Sequence, residues 1–422
     1  MAATDHTRAV GHNWAGNVTY GAHRLVEPRS LGELAELVAA EPRVKVLGSR
    51  HSFNHLADTD GVLVSLASMA GDAEVRRVDD GTIRVPAGIR YGDLVPILQR
   101  WNVALANLAS LPHISVGGAV QTGTHGSGDH LGTLATQVSA VEMVTGTGGH
   151  LRLERGQHDF DGAVVGLGAL GVVTHLELDV EPAFDVAQTV WEGVEWDDVL
   201  TDLDAVTSAG DSVSIFTTWQ DADAIDMVWV KSRSTRPPTT LSLPGARPAD
   251  GERHPIPGID PAPCTLQRGV PGPWFDRLPH FRLAFTPSVG DELQSEYLVP
   301  RTDAVAAVEA VRSLARVIAP LLHVSEVRTM AGDDFWLSPA TGSPTVAIHF
   351  TWKPDEEAVR GLLPRIEAAL PHSARPHWGK ISTMAPQKIA ARYPRWDDFA
   401  ALRSHLDPER RFTNAHLSRL GL

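Results

Sequence analysis

The chain has only one cysteine, Cys264, among its 422 residues. A single thiol excludes an intrachain disulfide and a cysteine-based zinc cluster, and we assign no metal ligands. No apolar run reaches the ~18 residues that a membrane-spanning helix needs. The segment MAATDHTRAVGHNWAG has no apolar centre and no small-residue cleavage site, so it does not predict a signal peptide. We therefore expect a cytoplasmic protein without a membrane partner.

Positive charge is also scarce. There are 37 Lys and Arg residues against 51 Asp and Glu, which gives a formal net charge of −14. No run of like charge makes a local basic patch, so nucleic acid and anionic lipid are excluded as expected partners. No G-x-x-x-x-G-K-[ST] motif occurs, which leaves a nucleoside triphosphatase unsupported. A hydrophobic fraction of 43% and this length predict an ordinary globular chain of two to three domains.

The pattern of the first part of the chain predicts a mixed α+β unit. Ser30 and Glu33 form a capping box for the helix SLGELAELVAAEP, and VKVLGS has the pattern of a buried strand. Strands at 61–67 and 81–88 and the amphipathic helix YGDLVPILQRWN follow. A β-meander then closes this unit near Glu181.

A second unit begins near Phe184. It contains the strands SVSIFTTWQ and AIDMVWVKSR, a proline-rich loop at 237–273 and a helix at 304–322. Loops of that length are usually functional or disordered. Two alternating strands, HVSEVRTM and TVAIHFTWK, and the helix EEAVRGLLPRIEAALP come next. The segment LDPERRFTNAHL predicts a short polar return.

The segment GLGALG matches the letters of the dinucleotide-binding fingerprint GxGxxG. That fingerprint requires a helix directly afterwards, because the helix N-terminus binds the pyrophosphate. Here the alternating, β-branched sequence VVTHLELDV follows and predicts a strand. We reject the Rossmann interpretation and expect a tight turn whose backbone amides can still approach a cofactor.

The segment Ser110–Gly128 is rich in glycine, serine and threonine and almost free of charge. Backbone amides and hydroxyls without cations can surround a pyrophosphate. A flexible linker is the alternative, but Ile114, Val116, Ala119 and Val120 alternate with small polar residues as in a partly buried segment. The pattern therefore favours a site for a large anionic cofactor.

Long, ordered stretches of the chain resemble the vanillyl-alcohol-oxidase-type flavoproteins and, within them, the bacterial alditol (xylitol) oxidases. They are VLGSRHSFN, ASLPHISVGGAVQTGTHGSG, LGALGVVTHLEL, HWGK and DPERRFTN, and NWAGN near the N-terminus extends the likeness over nearly the whole chain. The resemblance implies an α+β, two-domain FAD-binding fold with an α/β cap over the flavin. It assigns residues 1–181 with the return 408–422 to the FAD-binding domain, and residues 182–407 to the cap.

The resemblance implies that His51 is joined covalently to FAD, and a neutral imidazole nitrogen is a suitable nucleophile. On the residues alone, a loop histidine that caps a turn explains His51 equally well. Arg50 departs from the glycine of the alditol oxidases, and it either contacts cofactor phosphates, points to solvent or crowds the loop. The other residues that the resemblance assigns to FAD are Val46, Leu47, Gly48, Ser49, Arg50, Ser52, Ser110, Ser115, Gly118, Thr122, Gly123, Thr124, His125 and Val173.

Polar residues alternate along the two late strands. Glu326 and Arg328 are two apart, as are His349 and Thr351, so each pair shares one face of its strand. A surface ion pair is the plain alternative for Glu326 and Arg328. Four polar residues on one face, with apolar neighbours on the other, suit a pocket in which every substrate hydroxyl needs a partner.

By resemblance, Lys380 in HWGK completes this pocket, although a surface lysine is the plain alternative. His377 is taken as structural, and Asp129 departs from an apolar family residue near the flavin. The resemblance assigns catalysis to Lys380, Glu326, Arg328 and His349, and substrate contacts to Ser110, Glu326, Arg328, Thr351 and Lys380.

The implied activity is FAD-dependent oxidation of the terminal primary hydroxyl of alditols, such as xylitol and sorbitol, to the aldose, with oxygen reduced to hydrogen peroxide. A sugar-lactone (aldonolactone) oxidase or dehydrogenase of the same fold is the alternative. A flavin-storing protein without activity is a third interpretation, which bleaching of the flavin by xylitol would exclude. We expect a monomer whose partners are the polyol and molecular oxygen.

Overall fold

The computed structural model describes residues 10–71, 74–235, 240–284 and 292–422. Residues 1–9 and 237–239, on which part of the leader and proline-loop predictions rest, lie outside them. The described helices are α1 Leu31–Ala40, α2 Tyr91–Arg100, α3 Val116–Gln121, α4 Phe160–Val164, α5 Trp196–Thr201, α6 Leu203–Thr207, α7 Ala304–Arg312, α8 Ala315–Ile318, α9 Glu356–Ala369, α10 Pro386–Ala390, α11 Trp396–Leu406 and α12 Ala415–Leu420.

The described strands form one large sheet and several smaller ones. They are β1 Arg24–Val26, β2 Val44–Val46, β3 Val62–Val64, β4 Arg76–Arg77, β5 Thr82–Pro86, β6 Val103–Ala104, β7 Val138–Thr145, β8 His150–Glu154, β9 Gly171–Asp179, β10 Glu181–Pro182, β11 Asp185–Glu192, β12 Val194–Glu195, β13 Ser212–Thr217, β14 Ala224–Ile225, β15 Met227–Arg233, β16 Arg247–Pro248, β17 Gly272–Pro273, β18 Leu293–Pro300, β19 Leu322–Met330, β20 Thr345–Trp352 and β21 Arg375–Pro376.

The first unit combines a parallel sheet of order β1-β3-β2 with a five-stranded antiparallel sheet of order β4-β5-β9-β7-β8. Half of the capping box predicted for α1 is confirmed, because the Ser30 hydroxyl accepts a hydrogen bond from the Glu33 amide. The Glu33 carboxylate accepts from the Arg29 amide instead of the Ser30 amide. Leu34 and Val38 on the inner face of this helix are fully buried. The strand predicted after GLGALG is also confirmed as β9, which begins at Gly171.

The second unit is built on a sheet whose main path runs β16-β11-β15-β13-β19-β20-β18-β21. Strands β18 and β19 both pair antiparallel with β20, and His349 lies opposite Glu296 on one side and Glu326 on the other. Val327 and Phe350, on the other face, pack in a hydrophobic cluster that includes Val308 and Val359 of the helices. The sheet therefore presents a row of polar side chains on one face and an apolar surface to α7 and α9 on the other.

Two secondary-structure predictions are wrong. The helix expected at 304–322 ends at Arg312 and resumes only for residues 315–318. The Ser313 hydroxyl donates to the Ala310 carbonyl and competes with the helical ladder, and Pro320 cannot donate at all. The polar return contains the helix α12, whose N-terminus is capped by Asn414.

Packing connects the end of the chain to the first unit. Phe399, Leu402 and Leu417, of α11 and α12, lie in the same hydrophobic cluster as the strands of the first unit. Asn414 also donates to the backbone carbonyls of residues 55, 56 and 58. Residues within 182–407 thus contribute to the first core, and the boundary at 408 stays a prediction. No helix in the described ranges has the length and apolar character to cross a bilayer.

Candidate active site

A cavity of about 640 Å³ lies between the two units and is lined by both. The size is typical of a site for a small molecule or cofactor. With one exception, Gly123, every residue predicted to bind FAD or substrate lines this cavity. They are Val46, Leu47, Gly48, Ser49, Arg50, His51, Ser52, Ser110, Ser115, Gly118, Thr122, Thr124, His125, Val173, Glu326, Arg328, His349, Thr351 and Lys380.

Gly123 was predicted to bind the cofactor, and the structure does not support this role. Its φ of +63° lies in the left-handed region that favours glycine. A Cβ atom added there would come within 2.5 Å of Pro339, and Gly123 is not part of the cavity wall. Gly123 therefore makes the turn after α3 and packs against Pro339.

His51 lies on the loop that follows β2, where the cavity meets the N-terminal segment. The Trp14 ring stacks on the imidazole with 5.6 Å between ring centroids and 19° between planes. Burial lowers the pKa of His51 to about 4, so the ring is neutral at pH 7. Its buried Nδ1 has no hydrogen-bond partner among the described residues. A buried nitrogen that is neutral and unpartnered beside a cavity fits the attachment point of a flavin.

Arg50 supports the same loop from outside. Its guanidinium donates to the carbonyls of Val10, at 2.6 Å, and His12, at 3.2 Å, and lies over the Tyr20 ring. The Trp14 amide in turn donates to the Arg50 carbonyl. Arg50 therefore ties the N-terminal segment, including the Trp14 ring, to the histidine loop.

The glycine-rich segment packs tightly against the histidine loop. The Ser115 amide donates to the Ser49 hydroxyl at 3.1 Å, and a Cβ atom on Gly48 would lie 2.6 Å from the Ser115 hydroxyl. Residues 116–121 form the helix α3 instead of an open loop. Gly117 permits this helix to pack, because its added Cβ would lie 2.7 Å from the Ala87 side chain. The segment is thus a rigid wall of the cavity and not a linker.

Lys45 is a cavity residue that the sequence reasoning missed. Its ammonium is buried and donates to the carbonyls of Leu167, at 3.4 Å, and Gly168, at 3.0 Å. Burial lowers its pKa to about 7, and the charge of Asp407 opposes this shift. Lys45 lies between two valines in the buried strand β2, and a charged residue in such a place is the sequence signal that could have identified it. Lys45 connects β2 to the glycine turn before β9.

A buried carboxylate, Glu296, organises the opposite end of the cavity. Its Oε2 lies 2.8 Å from Lys380 Nζ, and its Oε1 lies 3.4 Å from an Arg328 guanidinium nitrogen and 3.3 Å from His125 Nε2. Burial alone would raise the pKa of Glu296, but Lys380 and His125 hold it well below its usual range. Glu296 is thus an ionised group that holds two predicted catalytic cations. Lys380, predicted as a pocket residue with a surface lysine as the alternative, is largely buried in this pocket.

Glu326 is the second buried carboxylate. Its Oε1 accepts a hydrogen bond from His280 Nε2 at 2.8 Å and lies 3.3 Å from Arg328 Nε. Burial opposes ionisation, yet Arg328 and His280 keep the pKa of Glu326 below its usual range. Arg328 also donates to the Ser110 hydroxyl at 3.3 Å, which connects the cap strand to the glycine-rich segment. The alternative of a surface ion pair is wrong, because both side chains are buried.

His349 joins these groups across the sheet. Lys380 Nζ lies 2.6 Å from its Nδ1, and its Nε2 lies 3.2 Å from the Thr351 hydroxyl. Burial and the nearby Lys380 charge lower the pKa of His349 well below its usual range. An ammonium can only donate, so Nδ1 accepts and Nε2 carries the proton. The predicted polar face therefore forms one connected cluster of hydrogen bonds and ion pairs.

Sequence reasoning missed Glu296 and His280 and treated His377 as structural. The strand LQSEYLVP carries Gln294 and Glu296 two residues apart, and both line the cavity, so the alternation used for β19 and β20 was present here too. His377 also lines the cavity, and its Nδ1 accepts from the Gly379 amide. His280 lies in an irregular segment, where no periodicity marks it.

Asp129, which departs from an apolar family residue near the flavin, lies away from the large cavity in this structure. Its carboxylate forms an ion pair with Arg301 at 3.0 Å and accepts a hydrogen bond from the Thr207 hydroxyl at 2.9 Å. Asp129 does not line the large cavity and borders a separate, smaller one. The described part of the proline-rich loop does reach the large cavity, through residues 254–263.

Comparisons with known proteins agree with this geometry. Residues 22–154 match the FAD binding domain family, and residues 291–420 match the D-arabinono-1,4-lactone oxidase family. The alditol oxidase of a Streptomyces species is 47% identical over 96% of this chain and 97% of its own. The L-gulono-1,4-lactone dehydrogenase of Mycobacterium tuberculosis is 30% identical over 97% of this chain and 98% of its own. The structure of cholesterol oxidase from B. sterolicum aligns with a TM-score of 0.76 and 15% identity, over 97% of this chain and 96% of its own.

The predicted α+β fold of the vanillyl-alcohol-oxidase type is confirmed by the structural likeness, which at this identity carries the fold alone. The FAD cofactor follows from the matched domain and from the relatives. The unpartnered His51 nitrogen and the rigid glycine-rich wall fit such a group. The chain is an FAD-dependent oxidoreductase and belongs to the vanillyl-alcohol-oxidase-type family of FAD-linked oxidases, with the Streptomyces alditol oxidase among its relatives.

Proposed function

We propose that the protein oxidises the terminal primary hydroxyl of an acyclic polyol, such as xylitol or sorbitol, to the aldose. The main support is a buried polar cluster on the cavity wall. Neighbouring strands carry Glu296, Glu326, Arg328 and His349, and the segment after β21 adds Lys380. Such a wall offers both donors and acceptors to a ligand that carries a hydroxyl on every carbon. A site built to bond hydroxyls discriminates strongly against analogues that lack them.

The charges of the cluster suit the oxidation of an alcohol. FAD held along the cavity wall would supply the acceptor for the hydride of the terminal carbon, and oxygen would then receive the two electrons to give hydrogen peroxide. The protein has to orient that carbon and stabilise the alkoxide that develops when the hydroxyl proton leaves. Lys380 and Arg328 supply positive charge on the cavity wall, and Glu296 holds both of them in place.

We assign the proton of the reacting hydroxyl to the pair Lys380 and His349, whose nitrogens lie 2.6 Å apart. Burial lowers the pKa values of both groups, so His349 is neutral and the Lys380 ammonium can pass a proton to His349 Nδ1. Lys380 then takes the proton of the hydroxyl in its place and keeps its positive charge. Glu326, in contrast, stays ionised because its pKa is lowered. It therefore suits an acceptor of hydroxyl hydrogen bonds better than a carrier of protons.

His51 is the proposed point of covalent attachment. Its neutral imidazole meets the requirement for a nucleophile, and its Nδ1 carries no competing hydrogen bond from a described residue. Trp14, which stacks on the ring, holds the imidazole plane before attachment.

A substrate panel with peroxide detection tests the proposal. Purified protein is given xylitol, sorbitol, mannitol, glycerol and L-gulono-1,4-lactone in separate reactions, with oxygen and then with an artificial electron acceptor. We expect peroxide with the open-chain polyols and the largest turnover with xylitol or sorbitol. A protein that bleaches with none of the polyols would overturn the proposal, and one that bleaches with neither the polyols nor the lactone would favour a flavin-storing role.

The second candidate is a sugar-lactone (aldonolactone) oxidase or dehydrogenase. The match of residues 291–420 to the D-arabinono-1,4-lactone oxidase family favours it, because this region carries much of the cavity wall. Turnover with the lactone that exceeds turnover with every polyol would select this candidate. The cytoplasmic location and the monomeric state stay predictions.

A further inference from the structure

Another buried lysine, Lys231, lies behind the substrate wall and is connected to Glu326 through His280. Lys231 is 1% exposed and does not line the cavity. Its Nζ lies 2.6 Å from the Leu278 carbonyl, 3.2 Å from the Pro279 carbonyl and 3.1 Å from His280 Nδ1. These three contacts use the three hydrogens of an ammonium.

The ionised Glu326 decides which nitrogen of His280 carries the proton. Burial lowers the pKa of Lys231 to about 7, but a carboxylate can only accept, so His280 Nδ1 accepts from Lys231 and the ring proton lies on Nε2. That nitrogen donates to Glu326 Oε1 at 2.8 Å. Burial and the Lys231 charge lower the pKa of His280 to about 4, which keeps the ring neutral with this proton in place. The direction of every hydrogen bond from Lys231 to Glu326 is therefore determined.

The His280 ring is also enclosed by aromatic side chains. Phe216 and Trp229 meet it edge to face, with ring centroids at 5.5 Å and 5.2 Å, and Phe281 lies at 6.5 Å. Rotation of the imidazole would require these packed rings to move. The Nε2 hydrogen is thus held in one direction, toward Glu326.

We propose that Lys231 and His280 are positioning residues that turn Glu326 so that its second carboxylate oxygen receives a non-reacting hydroxyl of the substrate. His280 and Arg328 both contact Oε1, and no described residue makes a hydrogen bond to Oε2. Lys231, which has no contact with the cavity, acts only through His280. The inference rests on the proposed polyol oxidation. It makes the linked side chains of Lys231, His280 and Glu326 a determinant of selectivity for longer polyols.

The proposal is tested by His280→Leu, which removes the donor, and His280→Gln, whose amide can still donate to Glu326. Because the contact concerns a non-reacting hydroxyl, it is made in the ground state and in the transition state alike. We expect His280→Leu to raise the KM for xylitol about tenfold with kcat nearly unchanged, and to lower the preference for xylitol over glycerol. His280→Gln should restore most of the lost selectivity. His175→Leu is the matched control, since His175 is another buried histidine beside a glutamate, outside the cavity.

Several results would overturn the proposal. One is a His280→Leu enzyme with the KM and selectivity of the wild type, and another is a Gln variant as impaired as the Leu variant. If His280→Leu does not fold with its flavin, Lys231→Met tests the proposal instead, and it should also raise the KM for xylitol. A Lys231→Met enzyme with an unchanged KM would contradict the proposed positioning of Glu326. If wild-type protein oxidises no polyol, the proposed function fails first, and the variants are then not the cause.

Discussion

Replacement of Lys380 by Met removes an ammonium that lies 2.8 Å from Glu296 and 2.6 Å from His349. If this charge stabilises an alkoxide that exists only in the transition state, its loss lowers turnover far more than polyol binding. Removal of one such preorganised contact typically costs about 3–4 kcal/mol, or roughly a hundredfold to a thousandfold in rate. Glu296 keeps its contacts with Arg328 and His125, so we expect the protein to fold and to retain its flavin.

The assay is anaerobic reduction of the flavin by xylitol, followed by stopped-flow absorbance, which separates this step from reoxidation by oxygen. Lys380→Arg keeps the positive charge and should be less impaired than Lys380→Met. Lys353→Met is the matched control, because Lys353 is exposed and its ammonium donates only to the Pro320 carbonyl among described groups. A Lys380→Met enzyme that is reduced at nearly the wild-type rate would refute the reasoning. Arg328 and Glu326 would then carry the charge chemistry.

Three further predictions follow from the same geometry. Acid-precipitated wild-type protein should stay yellow, and His51→Ala should release its flavin into the supernatant; a colourless wild-type pellet would contradict the covalent bond. Glu296→Gln removes the carboxylate that raises the pKa of Lys380, so the alkaline limb of the pH profile for flavin reduction should move to lower pH. An unmoved limb would mean that Lys380 is not the group that titrates. Burial, aided by the charge of Arg84, lowers the pKa of His175 to about 4, below its unfolded value of about 6.5, so the unfolded chain binds more protons between these values. The free energy of unfolding should therefore fall as pH drops through this window. The difference in thermal unfolding midpoint between pH 6.5 and pH 5 should be smaller for His175→Gln than for the wild type; an equal difference in the two proteins would contradict the assignment.

The local sequence pattern was sufficient to predict many of the helices and strands. The capping pair Ser30 and Glu33 predicted α1, and the β-branched run after GLGALG predicted β9. The spacing of Glu326 and Arg328 put both side chains on one face of a strand, since strand geometry has a period of two. The long motifs identified the flavoprotein fold and its FAD, because they carry the resemblance over nearly the whole chain.

Tertiary structure alone decided which of these faces meet. Lys380 contacts Glu296 across 84 residues of sequence, and His280 reaches Glu326 from a segment without periodicity. Only glycine fits at position 123, because Pro339, more than two hundred positions later, occupies the space that a Cβ atom would need. Alternation determines the direction of a side chain relative to its own strand. The neighbour of that strand is chosen by long-range packing of the sheet and helices, and that packing brought the buried charges together.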